Sequence, residues 1–128
     1  MKNGRKFFKC PHCGDIVSYI QCKEGGPGVF CCGEMMQEIK PNTVDAAKEK
    51  HVPSAVREGN KLVVTVGSVS HPMTEEHHIA WIVAADGART QRVALTSTQA
   101  PSADFFVSDD PVTVYAYCNL HGLWEAQA

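Results

Sequence analysis

Two cysteine pairs, C-P-H-C at Cys10 to Cys13 and C-C at Cys31 and Cys32, constrain the start of this chain more than any other feature. Two residues between cysteines let both thiolates reach one ion while backbone amides fold toward the sulfurs, so Cys10 and Cys13 read as a metal knuckle that needs a second pair. Cys31 and Cys32 supply it, although adjacent cysteines on one ion force an awkward local geometry. Spacing alone leaves zinc and iron equally open, including a zinc knob that only staples a small module. Lys2, Arg5 and Lys6 are not followed by the apolar stretch of a signal peptide, so the chain is expected to be cytoplasmic. Reductants there disfavour a disulfide framework. Cys22, among Gln21, Lys23 and Glu24, reads as a free thiol on an exposed turn.

From Lys6 to Ile39 the sequence is turn-rich, with Gly25, Gly26, Pro27 and Gly28 between short extended runs at Asp15 to Ile20 and Val29 to Phe30. So few apolar residues cannot hold themselves together. Lys40 to Pro53 reads as a linker, with Thr43 as a cap and one helical turn within Val44 to Lys50. Beyond it come β-rich segments at Ala55 to Glu58, Leu62 to Val66, Ile79 to Ala84, Arg89 to Leu95, Ala103 to Val107 and Val112 to Tyr117, punctuated by Asn60 and Asp86-Gly87. Short strands at this spacing, without helical periodicity, predict an antiparallel sandwich. The 128 residues therefore divide into a metal-stapled module over 1–40 and a β-sandwich over 41–128 with the linker at its start, a mainly β chain throughout.

A net charge of -2, from 12 basic and 14 acidic residues, gives no polycationic surface for nucleic acid or an anionic membrane. No apolar run approaches membrane-spanning length.

Five of the six histidines lie outside the cysteine-rich module. A lone histidine is usually a surface or satisfied core residue, but H-P-M-T-E-E-H-H at His71 to His78 stands together with C-N-L-H at Cys118 to His121. In C-N-L-H a thiolate and an imidazole follow an apolar strand and can reach one metal from its end. Neutral imidazoles with a thiolate suit iron, copper or zinc.

The ordered set C-x-x-C, C-C, T-V-D-A-A-K-E-K-H-V-P, H-P-M, E-H-H-I and Y-C-N-L-H-G, from about residue 7 to Trp124, resembles the desulfoferrodoxins, the two-centre superoxide reductases. The resemblance implies a desulforedoxin-like module whose iron is bound by Cys10, Cys13, Cys31 and Cys32, followed by an immunoglobulin-like antiparallel β-sandwich. It implies a second, catalytic iron with His51, His71, His77 and His121 around its equator and Cys118 axial, in the form Fe(His)4Cys beside the Fe(Cys)4 centre. It implies that Glu49 and Lys50 of the E-K-H-V-P motif act in the reduction of superoxide to hydrogen peroxide. Rubredoxin or a similar small electron donor and a homodimer follow from the same resemblance. His77 has the family's spacing of six from His71, while His78 is expected to begin the strand into Ile79 and Trp81 as a packing residue.

Two other classes fit parts of the pattern. A blue-copper-like electron carrier also combines a sandwich, an upstream histidine and a C-x-x-H strand end, but no axial methionine follows His121. A structural zinc protein would use both clusters only to hold the fold.

Overall fold

The computed structural model describes residues 5–21, 28–44, 46–69, 71–87 and 89–128. Cys22 and most of the Gly25 to Gly28 turn lie outside them. The chain separates into two compact units, Arg5–Lys40 and Pro41–Ala128.

In the first unit β1 (Phe7–Lys9) is the centre of a three-stranded antiparallel sheet, flanked by β2 (Ile16–Val17) and β5 (Gln37–Ile39). A separate hairpin joins β3 (Phe30–Cys31) to β4 (Glu34–Met35). Among the described residues of this unit only Phe7, Cys10 and Met36 are buried. Three side chains cannot offset the ordering entropy of such a segment, so its stability must come from a cross-link, and the buried member of the trio that can make one is a cysteine.

The second unit is a seven-stranded sandwich. After a four-residue helical turn, α1 (Lys48–His51), come β6 (Pro53–Glu58), β7 (Lys61–Val66), β8 (Ile79–Asp86), β9 (Arg89–Ala94), β10 (Ser102–Phe106), β11 (Thr113–Cys118) and β12 (Gly122–Gln127). One sheet has the order β10-β7-β6 and the other β12-β11-β8-β9, with every pairing antiparallel. Alternation along β7 sends Leu62, Val64 and Val66 inward, where they meet Ile82 and Ala84 of β8, Phe105 of β10, and Val114, Ala116 and Cys118 of β11.

The expected strands are present with small shifts in their ends, but β12 was not among them. Its G-L-W-E-A-Q sequence carries one bulky apolar pair, Leu123 and Trp124, and too little alternation to stand out. Thr43 does not cap the helical turn. That turn starts later, at Lys48, after an extended Ala47 with no side-chain cap. Asn42 instead holds the linker on β12. With φ 61, it donates its amide to Leu123 O at 2.9 Å and accepts from Glu125 N at 2.8 Å.

The register gathers several chain ends at one end of the sandwich. Pro53 at the start of β6 pairs with Val66 at the end of β7. Ile79 at the start of β8 pairs with Cys118 at the end of β11, and Cys118 pairs with Gly122 at the start of β12. The α1 turn, the 67–78 connection and the 119–121 loop therefore leave from one place, and they carry all the histidines of this unit.

Candidate metal centres

In the first unit a knuckle folds around Cys10. The amides of His12 and Cys13 point at its sulfur at 3.4 and 3.5 Å, and Cys10 N donates to Asp15 O at 2.9 Å. Hydrogen bonds to a sulfur favour its thiolate, and those amides, Cys13's foremost, pull the Cys10 thiol down to about 6. Cys31 goes the opposite way, its thiol held up by the neighbouring Cys10 and Cys13 sulfurs.

The C-C pair is less awkward than its adjacency suggests. Cys32 and Gly33 form the two-residue loop between β3 and β4, with φ 53 and φ 78. Two successive positive φ values are the mark of a type I′ hairpin turn. The turn folds Cys32 back beside Cys31, with the sulfurs 3.9 Å apart, and Cys13 Sγ lies 3.6 Å from Cys31 Sγ. The four sulfurs all lie within 4.8 Å of one another.

In the second unit four imidazoles close a square. Ring centroids are 4.7 Å apart for His51 and His71, 4.7 Å for His71 and His77, 5.0 Å for His77 and His121, and 4.9 Å for His121 and His51. Each neighbouring pair is steeply inclined, at 76° to 82°, while the His51–His77 diagonal spans 6.3 Å. Each neighbouring pair thus meets edge to face, and the four rings close on one common centre.

The hydrogen bonds say which nitrogens face inward. His51 Nδ1–H donates to Ala47 O and His71 Nδ1–H to Pro72 O, both at 2.7 Å, which leaves each Nε2 with a free lone pair. His51 Nε2 lies 3.1 Å from His121 Nδ1, which is 3.8 Å from Cys118 Sγ. The ligand atoms of His51, His77, Cys118 and His121 fall within 4.8 Å of one another; His71 joins them through the ring square. His71 Nε2 and His77 Nε2 are buried without a hydrogen-bond partner among the described residues.

An orphaned buried polar atom costs about 1–3 kcal/mol, and two in one square are not tolerated without compensation. A cation would accept those lone pairs. Burial supports the same fit by disfavouring imidazolium: it pushes His71 down to about 4 and lowers His51 and His77. Burial pushes the Cys118 thiol up, against the amides of Leu120 and His121, so a bare Cys118 stays protonated and a bound metal makes it a thiolate. Three or more neutral imidazoles and one thiolate form a mixed donor set for a borderline transition metal.

Glu49 and Lys50 sit exposed on α1 beside buried His51. The Lys50 charge is felt at both His51 and His77, and among the described residues it is not ion-paired. His78 is turned away from the square: its ring nitrogen Nδ1 meets Thr74 O at 3.0 Å and its amide meets Asn119 Oδ1 at 2.9 Å.

Three supports of the square escaped the sequence reading. Trp124 stacks on His51 at 5.1 Å and donates Nε1–H to His121 O at 3.1 Å. Gly67, with φ +84, lets the end of β7 approach α1 so closely that a Cβ there would lie 2.5 Å from Val69 O and 2.6 Å from Lys50 O. A register shift between Tyr117 and Cys118 breaks the alternation of β8, so that Ile79 points inward along with Ile82 and Ala84. A tryptophan three residues beyond C-N-L-H was the one available signal.

A family model for desulfoferrodoxin matches residues 43–127. The chain is 46% identical to desulfoferrodoxin of Nitratidesulfovibrio vulgaris over 100% of both chains, and 45% identical to a desulfoferrodoxin homolog of Archaeoglobus fulgidus over 93% of this chain and 94% of that one. Among solved structures, the superoxide reductase from Treponema pallidum superposes with TM-score 0.78 at 37% identity, covering 96% of this chain and 98% of that one.

Proposed function

The chain belongs to the desulfoferrodoxin family, and on that premise we propose that it is a superoxide reductase with two iron ions, one in each unit. The reaction is O2•− + e− + 2 H+ → H2O2. The observation that carries the reading is the closed square of four imidazoles beside buried Cys118, with two Nε2 atoms otherwise orphaned. In this reading His51, His71, His77, His121 and Cys118 hold the catalytic iron, Cys10, Cys13, Cys31 and Cys32 hold the other, and the units are the domains 1–40 and 41–128.

His51, His71, His77, His121 and Cys118 would hold a ferrous iron, which would supply the electron for the reduction. The chain's own groups do the rest. Four neutral imidazoles and one thiolate cancel only one positive charge, so the site stays cationic although the chain is negative overall. Lys50 adds a mobile charge at the exposed rim and draws superoxide to that face. The amides of Leu120 and His121 hold the Cys118 sulfur and temper its donation. Protons would reach the product through water at the exposed side, where Glu49 offers a carboxylate on the same turn as Lys50. An external donor, rubredoxin or a similar small carrier, would return the electron, Cys10, Cys13, Cys31 and Cys32 would hold the other iron as a relay or store, and the working assembly would be a homodimer.

A blue-copper carrier uses two imidazoles with a thiolate and a weak axial methionine. Here four imidazoles surround the site, and the Met73 sulfur is taken by the Ile79 amide at 3.3 Å.

Stopped-flow reaction of the chemically reduced protein with superoxide tests the proposal. A reductase forms one peroxide for each superoxide consumed and no dioxygen. Release of dioxygen, or a colourless protein with stoichiometric zinc, would overturn it.

A further inference from the structure

His77 differs from the other three rings of the square. His51 and His71 are fixed by hydrogen bonds from Nδ1 to backbone carbonyls, and His121 lies on the strand-end loop that also carries Cys118. Among the described residues no hydrogen bond reaches the His77 ring, and its buried Nε2 has no partner. Apart from contact with the neighbouring rings, its orientation is set by its backbone.

That backbone is fixed in two stages. Thr74 closes the loop on itself: its Oγ1 accepts His77 N at 3.1 Å and its amide donates to His77 O at 2.9 Å. Asn119 then ties the loop to the strand end that bears Cys118 and His121. The β8–β11 ladder ends at the pair Cys118–Ile79, yet Asn119 N donates to His78 O at 3.2 Å, Asn119 Oδ1 accepts His78 N at 2.9 Å, and Asn119 Nδ2 donates to Glu76 O at 3.0 Å. Its side-chain amide acts as one more peptide of the ladder, gripping the residues on either side of His77.

We infer that Asn119 is the positioning residue for His77: it clamps the 76–78 segment to the Cys118–His121 loop and so holds the one imidazole of the square that no ring hydrogen bond fixes. The inference rests on the reading of the square as a metal site. Without the clamp, His77 becomes the arm through which the metal is lost.

The test uses the full chain loaded with iron, and in parallel with cobalt(II), in Asn119→Ala and Asn119→Asp. The readouts are the rate of second-centre metal release to a chelator and the spectrum of that centre, with four-cysteine absorption and the thermal midpoint as controls. Asn119→Ala should release the metal about 10–100-fold faster and alter the second-centre spectrum while leaving the first centre unchanged. Asn119→Asp keeps the acceptor for His78 N but loses the donor to Glu76 O, and should fall between. If Asn119→Ala fails to fold, the Asp variant decides: intermediate release supports the clamp, and wild-type release overturns it. Wild-type release and spectrum in folded Asn119→Ala also overturn it. Loss of metal retention in a protein whose wild type does not reduce superoxide would keep the clamp and sink the proposed function instead.

Discussion

The Nε2 of His51 lies 3.1 Å from the Nδ1 of His121. Because the other His51 nitrogen donates to Ala47 O, the nitrogen facing His121 carries a lone pair, which can accept from His121 Nδ1–H or be given to a metal. His51→Ala removes that nitrogen and the stack on Trp124. Second-centre metal affinity should then fall by more than the roughly 10–100-fold that loss of an outer partner costs. Competition titration with a chelator measures this, and unchanged affinity would remove His51 from the ligand set.

Gly67→Ala should disturb the same corner from outside it. A Cβ would lie 2.5, 2.6 and 2.8 Å from three backbone carbonyls, of Val69, Lys50 and Glu49, at φ +84. All three obstacles are main chain, so the α1 turn must move. The strain alone costs about 1–3 kcal/mol, and the shift should slow oxidation by superoxide as well as lower the unfolding midpoint. A folded variant with a normal midpoint and normal rates would show that the contact yields cheaply.

Lys50→Ala should slow the bimolecular step with superoxide and flatten its dependence on ionic strength, since the lysine acts through its charge on the exposed rim. Its charge is close enough to disfavour protonation of His51 and His77. Rates identical to wild type across a salt series would take Lys50 out of the reaction.

These positions also mark what the sequence could and could not reveal. C-P-H-C, H-P-M and C-N-L-H are legible because metal chemistry fixes both residue type and spacing, and six strands are legible because short β-rich runs recur between turn signals. Gly67 and Asn119 are not: one works through the absence of a side chain at a close approach, the other through bonds to residues 41 and 43 positions away. The C-C geometry looked awkward because its solution is a backbone one, the positive φ of Cys32. β12 was hidden because its own alternation is weak and part of what holds it, Asn42, lies far away in sequence.

Asp86 predicts a pH dependence of folding that is independent of the metal ligands. It is buried, and its carboxylate accepts from Ser108 N and Ser108 Oγ at 2.8 Å each and from Arg89 at 3.4 Å. The Ser108 amide, then its hydroxyl, hold the carboxyl below its ordinary range. A depressed folded pKa stabilises the fold above the unfolded pKa, and the contribution is lost as pH falls through the folded one. Asp86→Asn should therefore cost about 1–3 kcal/mol near neutrality and progressively less in acid. Denaturant unfolding of both proteins across pH cancels the shared loss of metal; a constant gap from neutral to acid pH would refute the assignment.

Cys118→Ser bears on the reaction most directly. Cys118 is fully buried at the end of β11, belongs to the sandwich core, and places its sulfur 3.8 Å from His121 Nδ1. A purely structural role makes it a small apolar residue, for which serine costs on the order of 1–3 kcal/mol for burying a hydroxyl. Such a loss lowers the unfolding midpoint and leaves metal and colour alone. As a ligand it does something different: burial keeps the free thiol protonated, so only a metal draws out the thiolate, and a serine hydroxyl is both harder and far less acidic. The four imidazoles can still hold a metal in the variant, with altered affinity. Sulfur-to-iron charge transfer at the second centre should vanish, absorption of the four-cysteine centre should persist as the internal control, and the yield of peroxide per superoxide should collapse. Visible absorption retained at the second centre, together with near-normal peroxide yield, would mean that Cys118 only packs the core and that the donor set is imidazole alone.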